Sequence, residues 1–226
     1  MAEIPLKGKA NLNVSLTTKP DLMITFNFAS QHMGTAIKFA KQAEKIENEN
    51  HTEEKSNFFD EMRTYVSSTI IMSVCALEAN INEHFLSNDG ILKDYKPDDR
   101  GKILEIIDSY KISEKYQMGL ILNKKPLLIF DKEPFESFQY LIKFRNSLVH
   151  YKPETDKDFK VSKQLEKNLK CKFDTNPHAK PNNSFLGYHA MSYSCAKWAV
   201  NTALLFCKAY SEMLGIYDKF PRYQCV

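Results

Sequence analysis

The stretch Ile70-Ile71-Met72-Ser73-Val74-Cys75-Ala76-Leu77-Glu78-Ala79-Asn80-Ile81-Asn82-Glu83-His84-Phe85 decides the fold class. Ile70, Val74, Leu77, Ile81 and Phe85 recur at steps of three and four, the apolar stripe of a helix packed against other helices. No proline interrupts the chain between Asp21 and Lys96. The spacing therefore predicts one helix over about 53–87 and another over about 30–47. Glu78 falls inside the stripe, where a carboxylate needs a partner or a proton.

Downstream, shorter helices are predicted near 98–109 and 113–123. Pro126 and the apolar run Leu127-Leu128-Ile129-Phe130 separate them from the next element. Pro134 suits a helix's first turn, and Phe135, Phe138, Leu141, Ile142, Leu148 and Val149 give that helix a core face. Pro153 restricts Lys152 and ends it near Tyr151. A Lys-rich segment and a polar loop around 173–187 follow. A last long helix, about 188–215, carries Met191, Cys195, Trp198, Thr202, Leu205, Ala209 and Met213 as its stripe.

Upstream the period changes from 3.6 to 2. Leu12, Val14 and Leu16 alternate with Asn11, Asn13, Ser15 and Thr17, Lys19-Pro20-Asp21 supplies a turn, and Leu22, Ile24, Phe26 and Phe28 resume the alternation. The expected architecture is mainly all-α. It is a helical bundle of three or four long helices plus short ones over 30–226, with a β-hairpin appendage over 1–29. The hairpin needs helices or another copy of the chain to lie on.

Composition agrees. The 226 residues include 43% hydrophobic, 12% aromatic and 26% charged, enough apolar surface to offset the ordering entropy of a folded chain. Only seven are glycine, which suits long helices with few tight turns. Five cysteines with no close pair (Cys75, Cys171, Cys195, Cys207 and Cys225) suggest neither a disulfide framework nor a tetrathiolate zinc site. The start of the chain shows no signal-peptide run and no window reaches the uncharged apolar length of a membrane span. A soluble, cytoplasmic protein without membrane attachment is expected. A net charge of +3 is too small to attract nucleic acid in bulk, so any such role must come from local clustering.

Such clusters exist. Phe144-Arg145-Asn146-Ser147-Leu148-Val149-His150-Tyr151 closes the fifth helix. Asn146 and His150 share a face, and Arg145 sits about 100° round with a side chain long enough to reach the same anion. A guanidinium binds phosphate oxygens, an amide orients, and an imidazole moves protons near neutral pH. The helix C-terminus also favours a cation at His150. The plainer alternative is that Arg145 and His150 merely cap a helix end. Glu78 is a plausible partner for Arg145, or a member of an ordinary polar network. Further on, Lys160, Lys163, Lys167 and Lys170 occupy a narrow helical face opposite Val161, Leu165 and Leu169. That strip suits an RNA backbone, although most such faces are simply solvated. No metal-ligand spacing, phosphate-cradling Gly-rich loop or Ser/Cys nucleophile context stands out, and Trp198 reads as core. No cofactor is expected.

Arg145-Asn146-Ser147-Leu148-Val149-His150 resembles the signature of HEPN domains (higher eukaryotes and prokaryotes nucleotide-binding), in which Arg, a polar residue and a downstream His end a bundle helix. Phe138 to Tyr151, Ser73 to Asn80, and Ala196-Lys197-Trp198-Ala199-Val200-Asn201-Thr202 are similar as well. The resemblance covers roughly residues 53–215 and not the hairpin. It implies a metal-independent endoribonuclease using the 2′-hydroxyl as nucleophile, commonly a homodimer that brings two motifs into one cleft. Arg145 would stabilise the transition state, His150 act as acid or base, and Asn146 hold the geometry, with Glu78 and Tyr151 in support. It further implies a toxin or antiviral effector with an antitoxin or regulatory partner. Two alternatives stand beside it. One is a non-catalytic HEPN module binding a protein or nucleotide, and the other is a structural helical protein assembled through its hairpin.

Overall fold

The computed structural model describes residues 27–49, 57–129, 131–151 and 160–223. Among these the chain is helical, with no strand. Seven α-helices follow one another: α1 (Ala29–Glu49), α2 (Phe58–Leu86), α3 (Pro97–Asp108), α4 (Ile112–Leu122), α5 (Phe135–Val149), α6 (Lys160–Leu169) and α7 (Tyr193–Leu214). A π-helical turn, Phe185–His189, precedes α7. The strands expected at 11–17 and 22–28 fall outside the described residues except for Asn27 and Phe28, which lead into α1 as irregular chain.

The bundle is organised on α2, which packs against α1, α4, α5 and α7. Its predicted stripe is the core: Ile70, Val74, Leu77 and Ile81 are fully buried and Phe85 nearly so. By length and mean hydropathy α2 alone among the described helices could cross a membrane, yet half of its most apolar window is covered by its neighbours in the bundle. Helix α1 lies along it through Ala29, Met33, Ala36, Ala40 and Ala43, all buried. Small residues at this spacing let two helix backbones approach closely.

Rings and hydroxyls fill the space between α2, α4, α5 and α7. Tyr116 is fully buried, donates to the Leu77 carbonyl at 2.7 Å and accepts from Asn80 Nδ2 at 3.3 Å. Tyr210 donates to the Tyr116 carbonyl at 3.0 Å. Phe138 and Phe206 stack with centroids 3.7 Å apart and planes within 5°. Cys195 and Cys207 of α7 are sealed in the same interior, and burial pushes both thiols up.

Local chemistry places the ends. Pro97 opens α3 ahead of Asp98 and Asp99, and Glu114 folds back to accept from the Lys111 amide at 2.7 Å. Helix α7 starts at Tyr193 and not near 188. Ser192 caps it, accepting from the Cys195 amide at 3.0 Å while donating to the Asp174 carbonyl at 2.7 Å. Gly215 closes α7 with φ 69°, the left-handed conformation that glycine adopts without strain. After α2 the chain doubles back so tightly that a Cβ on Gly90 would lie 1.9 Å from the His84 carbonyl oxygen.

The predicted stripe of α7 needs rotation. Cys195 and Thr202 are buried, but Trp198 is half-buried and Leu205 is 49% exposed. The core face runs through Ala196, Ala199, Val200, Ala203, Phe206, Cys207 and Tyr210. A one-residue slip moves a helix face by about 100°. Small alanines, not the bulkier Trp198 and Leu205, point inward because α1 and α2 approach this helix closely. On α5, Phe138, Leu141 and Phe144 are buried, whereas Val149 is 49% exposed at the helix end.

Candidate functional site

Helix α5 is anchored by Phe138, Leu141 and Phe144, which turn its other faces outward. Arg145, next in sequence to the buried Phe144, lies at the edge of the α2–α5 seam and is half-buried. Its charge reaches the Cys75 thiol on α2, which also feels Glu78 one turn away. Burial raises the Cys75 thiol, Arg145 opposes that, and Glu78 adds to it, so the thiol stays above its ordinary value. Structure thus brings Arg145, Cys75 and Glu78 into one electrostatic neighbourhood. No hydrogen bond or ion pair within 4 Å joins Arg145 to Glu78.

Arg145 differs from the chain's other three arginines. Arg63 donates to Asp60 and to the Gly187 carbonyl at 3.3 Å. Arg100 donates to the Tyr95 carbonyl at 2.9 Å and the Lys93 carbonyl at 2.8 Å, and Arg222 to the Tyr223 hydroxyl at 3.0 Å. The Nε of Arg145 is buried with no hydrogen-bond partner. A desolvated guanidinium donor without a partner costs stability.

Asn146 and His150 are exposed one turn apart, and the His150 amide donates to the Asn146 carbonyl at 2.9 Å as α5 ends. Tyr151 is 56% exposed beside them. The polar end of α5 is thus open to solvent at His150 and Asn146, while Arg145 is close enough to α2 for its charge to act on Cys75.

Lys163 and Lys167 are exposed on α6, Lys170 is exposed just after it, and Leu165 and Leu169 are buried. Lys160 belongs to α6 by its backbone, and its side chain lies outside the described residues.

Two features escaped sequence reading. The first is a cavity of about 560 Å³ between the start of α5 and one side of α7, lined by Glu133, Lys172, Lys197, Trp198, Asn201 and Leu205 among others. Lys172 there donates to Glu133 at 2.5 Å and to Glu136 at 2.6 Å. Burial pulls against both charges, but these bonds hold Lys172 above and Glu133 below their ordinary ranges. Ser137 also donates to Glu133, at 2.7 Å. Trp198, expected in the core, is half-buried and forms part of this wall.

The second is a cavity of about 530 Å³ where α2 ends, lined by Glu83, His84, Asp89, Lys219 and Arg222 among others. Glu83 accepts from Lys219 Nζ at 2.9 Å and from the Ala29 amide at 2.8 Å, tying three distant segments together. His84 is 3% exposed with an unpartnered Nε2. Burial, reinforced by the Lys219 charge, lowers its pKa to about 3. With the partners 136 positions apart in sequence, no local pattern could announce this pair.

Among the described residues, no group of three His, Cys, Asp or Glu side chains is gathered so as to hold a metal ion. Compared with known proteins, the chain matches no family model, no curated protein and no solved structure.

Proposed function

We propose that this chain is a metal-independent endoribonuclease of the HEPN type, cutting RNA by attack of a ribose 2′-hydroxyl on the adjacent phosphorus. The observation that supports the reading most is the state of Arg145: a guanidinium held against α2, with a buried Nε that no protein group satisfies, at the same helix end as the exposed His150.

The chemistry assigned to these groups is transphosphorylation. The 2′-oxygen forms a bond to phosphorus and the bond from phosphorus to the 5′-oxygen breaks, leaving a 2′,3′-cyclic phosphate and a 5′-hydroxyl. Arg145 neutralises the charge that builds on the non-bridging oxygens. Protonated His150 gives its proton to the departing 5′-oxygen, and Asn146 fixes the phosphate's approach. Neutral His150 of a second copy takes the proton from the 2′-hydroxyl. This assigns the active form to a homodimer, whose contact would cover Val149 and Tyr151, both large, exposed and next to His150. Glu78 steadies the guanidinium from α2. A cytoplasmic toxin or antiviral effector, restrained by an antitoxin or regulatory protein, is the biological role that goes with this reading.

The deciding assay incubates RNA with the protein in excess chelator. Wild type should yield fragments ending in 2′,3′-cyclic phosphate, and the Arg145→Ala, His150→Ala double variant should yield none. Equal cutting by the double variant sinks the assignment.

One observation favours a second reading, a non-catalytic binding module: neither cavity described above includes Arg145 or His150. In that case no RNA is cut, and a nucleotide or partner protein raises the melting temperature instead.

A further inference from the structure

The cavity between α5 and α7 has the size of a nucleotide site, about 560 Å³. Lys172 in its wall is bound to both Glu133 and Glu136. The α7 side of the cavity offers the indole of Trp198 and the half-exposed side chain of Leu205. An aromatic wall with an apolar rim suits a flat heterocycle.

Positive charge stands just outside. Helix α6 exposes Lys163 and Lys167, Lys170 follows it exposed, and the chain then runs through Cys171 and Lys172 into the cavity wall. Lys197 adds a further cation at the cavity, on α7. Cations along an approach that ends at an aromatic wall are the arrangement by which proteins hold single strands, phosphates on the charges and bases on the rings.

We infer that the α5–α7 cavity takes an unpaired base of single-stranded RNA whose phosphates run along the lysine face of α6. Resting on the nuclease reading, this assigns the substrate class of that site: single strands, gripped away from the bond that is cut. Ser137 at the cavity and Arg145 are eight residues apart on α5, roughly 12 Å along the axis. The gripped base therefore belongs to a different nucleotide from the scissile one.

Trp198 is the chain's one tryptophan, so its emission reports on this cavity alone. The probe is a short 2′-O-methyl oligoadenylate, which lacks the attacking hydroxyl and stays intact. Titrating it should quench Trp198 saturably, at the same concentrations that raise the anisotropy of a dye-labelled copy. Leu205→Glu, at an exposed rim position that leaves the core untouched, should weaken binding roughly tenfold or more. Replacing Lys163, Lys167 and Lys170 by Gln should weaken binding and flatten its salt dependence, while leaving the quench at saturation intact. Binding that leaves the emission unmoved and ignores Leu205→Glu overturns the inference. So does an oligonucleotide that fails to bind at all. His150-dependent cutting with a silent Trp198 rejects the cavity and keeps the nuclease; a quenched Trp198 with no cutting of natural RNA rejects the nuclease and keeps the cavity.

Discussion

Two helices of this bundle end in a polar cluster containing a histidine, and they end differently. Where α2 stops, Gly90 lets the backbone fold back over His84, and the C-terminal segment lays Lys219 against Glu83. The carboxylate there uses both oxygens on protein donors, and the histidine is sealed. Where α5 stops, His150 and Asn146 stay in solvent, and Arg145 and Glu78 both act on the Cys75 thiol without bonding to each other. Each end buries one nitrogen without a partner, His84 Nε2 at the first and Arg145 Nε at the second. What separates the two is the histidine, buried at the end of α2 and open to solvent at the end of α5.

Mutations should separate the two ends, most sharply in catalysis. Arg145→Ala or His150→Ala should each reduce RNA cleavage by roughly a thousandfold, through loss of the charge clamp in one and of the proton donor in the other. His84→Gln should cut at the wild-type rate in the same gel assay. A comparable loss from His84→Gln would erase the distinction.

Stability should show the reverse. Lys219→Met leaves a largely buried carboxylate with one amide for company and should cost about 3 kcal/mol in urea unfolding. Arg145→Met removes a buried donor that has no partner, so stability should hold or rise by about 1 kcal/mol. Equal destabilisation by both would mean that Arg145 is structural.

Acid should act through the α2 end. The unfolded chain protonates His84 as pH falls through 6.5, the folded chain only near 3. A base with a depressed folded pKa makes unfolding take up a proton in that window, so stability falls with pH between those values. From pH 7 to pH 5 the loss is about 2 kcal/mol. His84→Gln should flatten that slope in urea titrations at the two pH values. An unchanged slope would show that His84 is accessible to protons in the folded state.

Glu78→Gln is the smallest test. A neighbouring charge that steadies Arg145 without bonding to it contributes about 1 kcal/mol, so cleavage should drop roughly fivefold with KM little altered. No change would remove Glu78 from the site.

The helical elements were legible because their signals are local. The α2 stripe from Ile70 to Phe85 is continuous and unbroken by proline, and Pro97, Pro134 and Gly215 punctuate the helix ends where residue chemistry demands. Rotation of α7 was not, because alanines carry the inward face and only the closeness of α1 and α2 decides that small residues go inside. The Arg145–His150 cluster was readable as two residues on one helix end. Its decisive property, a buried Nε left without a partner, depends on α2 packing across from it. Glu83 and Lys219 meet only through the closure of the whole chain, and the cavity beside Trp198 exists only once α5, α6 and α7 are in place.

The thiols of this molecule form a built-in chemical clock. Cys171 lies exposed just after α6, whereas Cys195 and Cys207 sit sealed on the core face of α7. A maleimide will modify Cys171 on contact and reach the other two only in molecules whose core has opened around them. The slow rate divided by that of a free thiol is the equilibrium constant for that opening. Mass spectrometry of the labelled protein therefore times how often the interior of the bundle is laid bare.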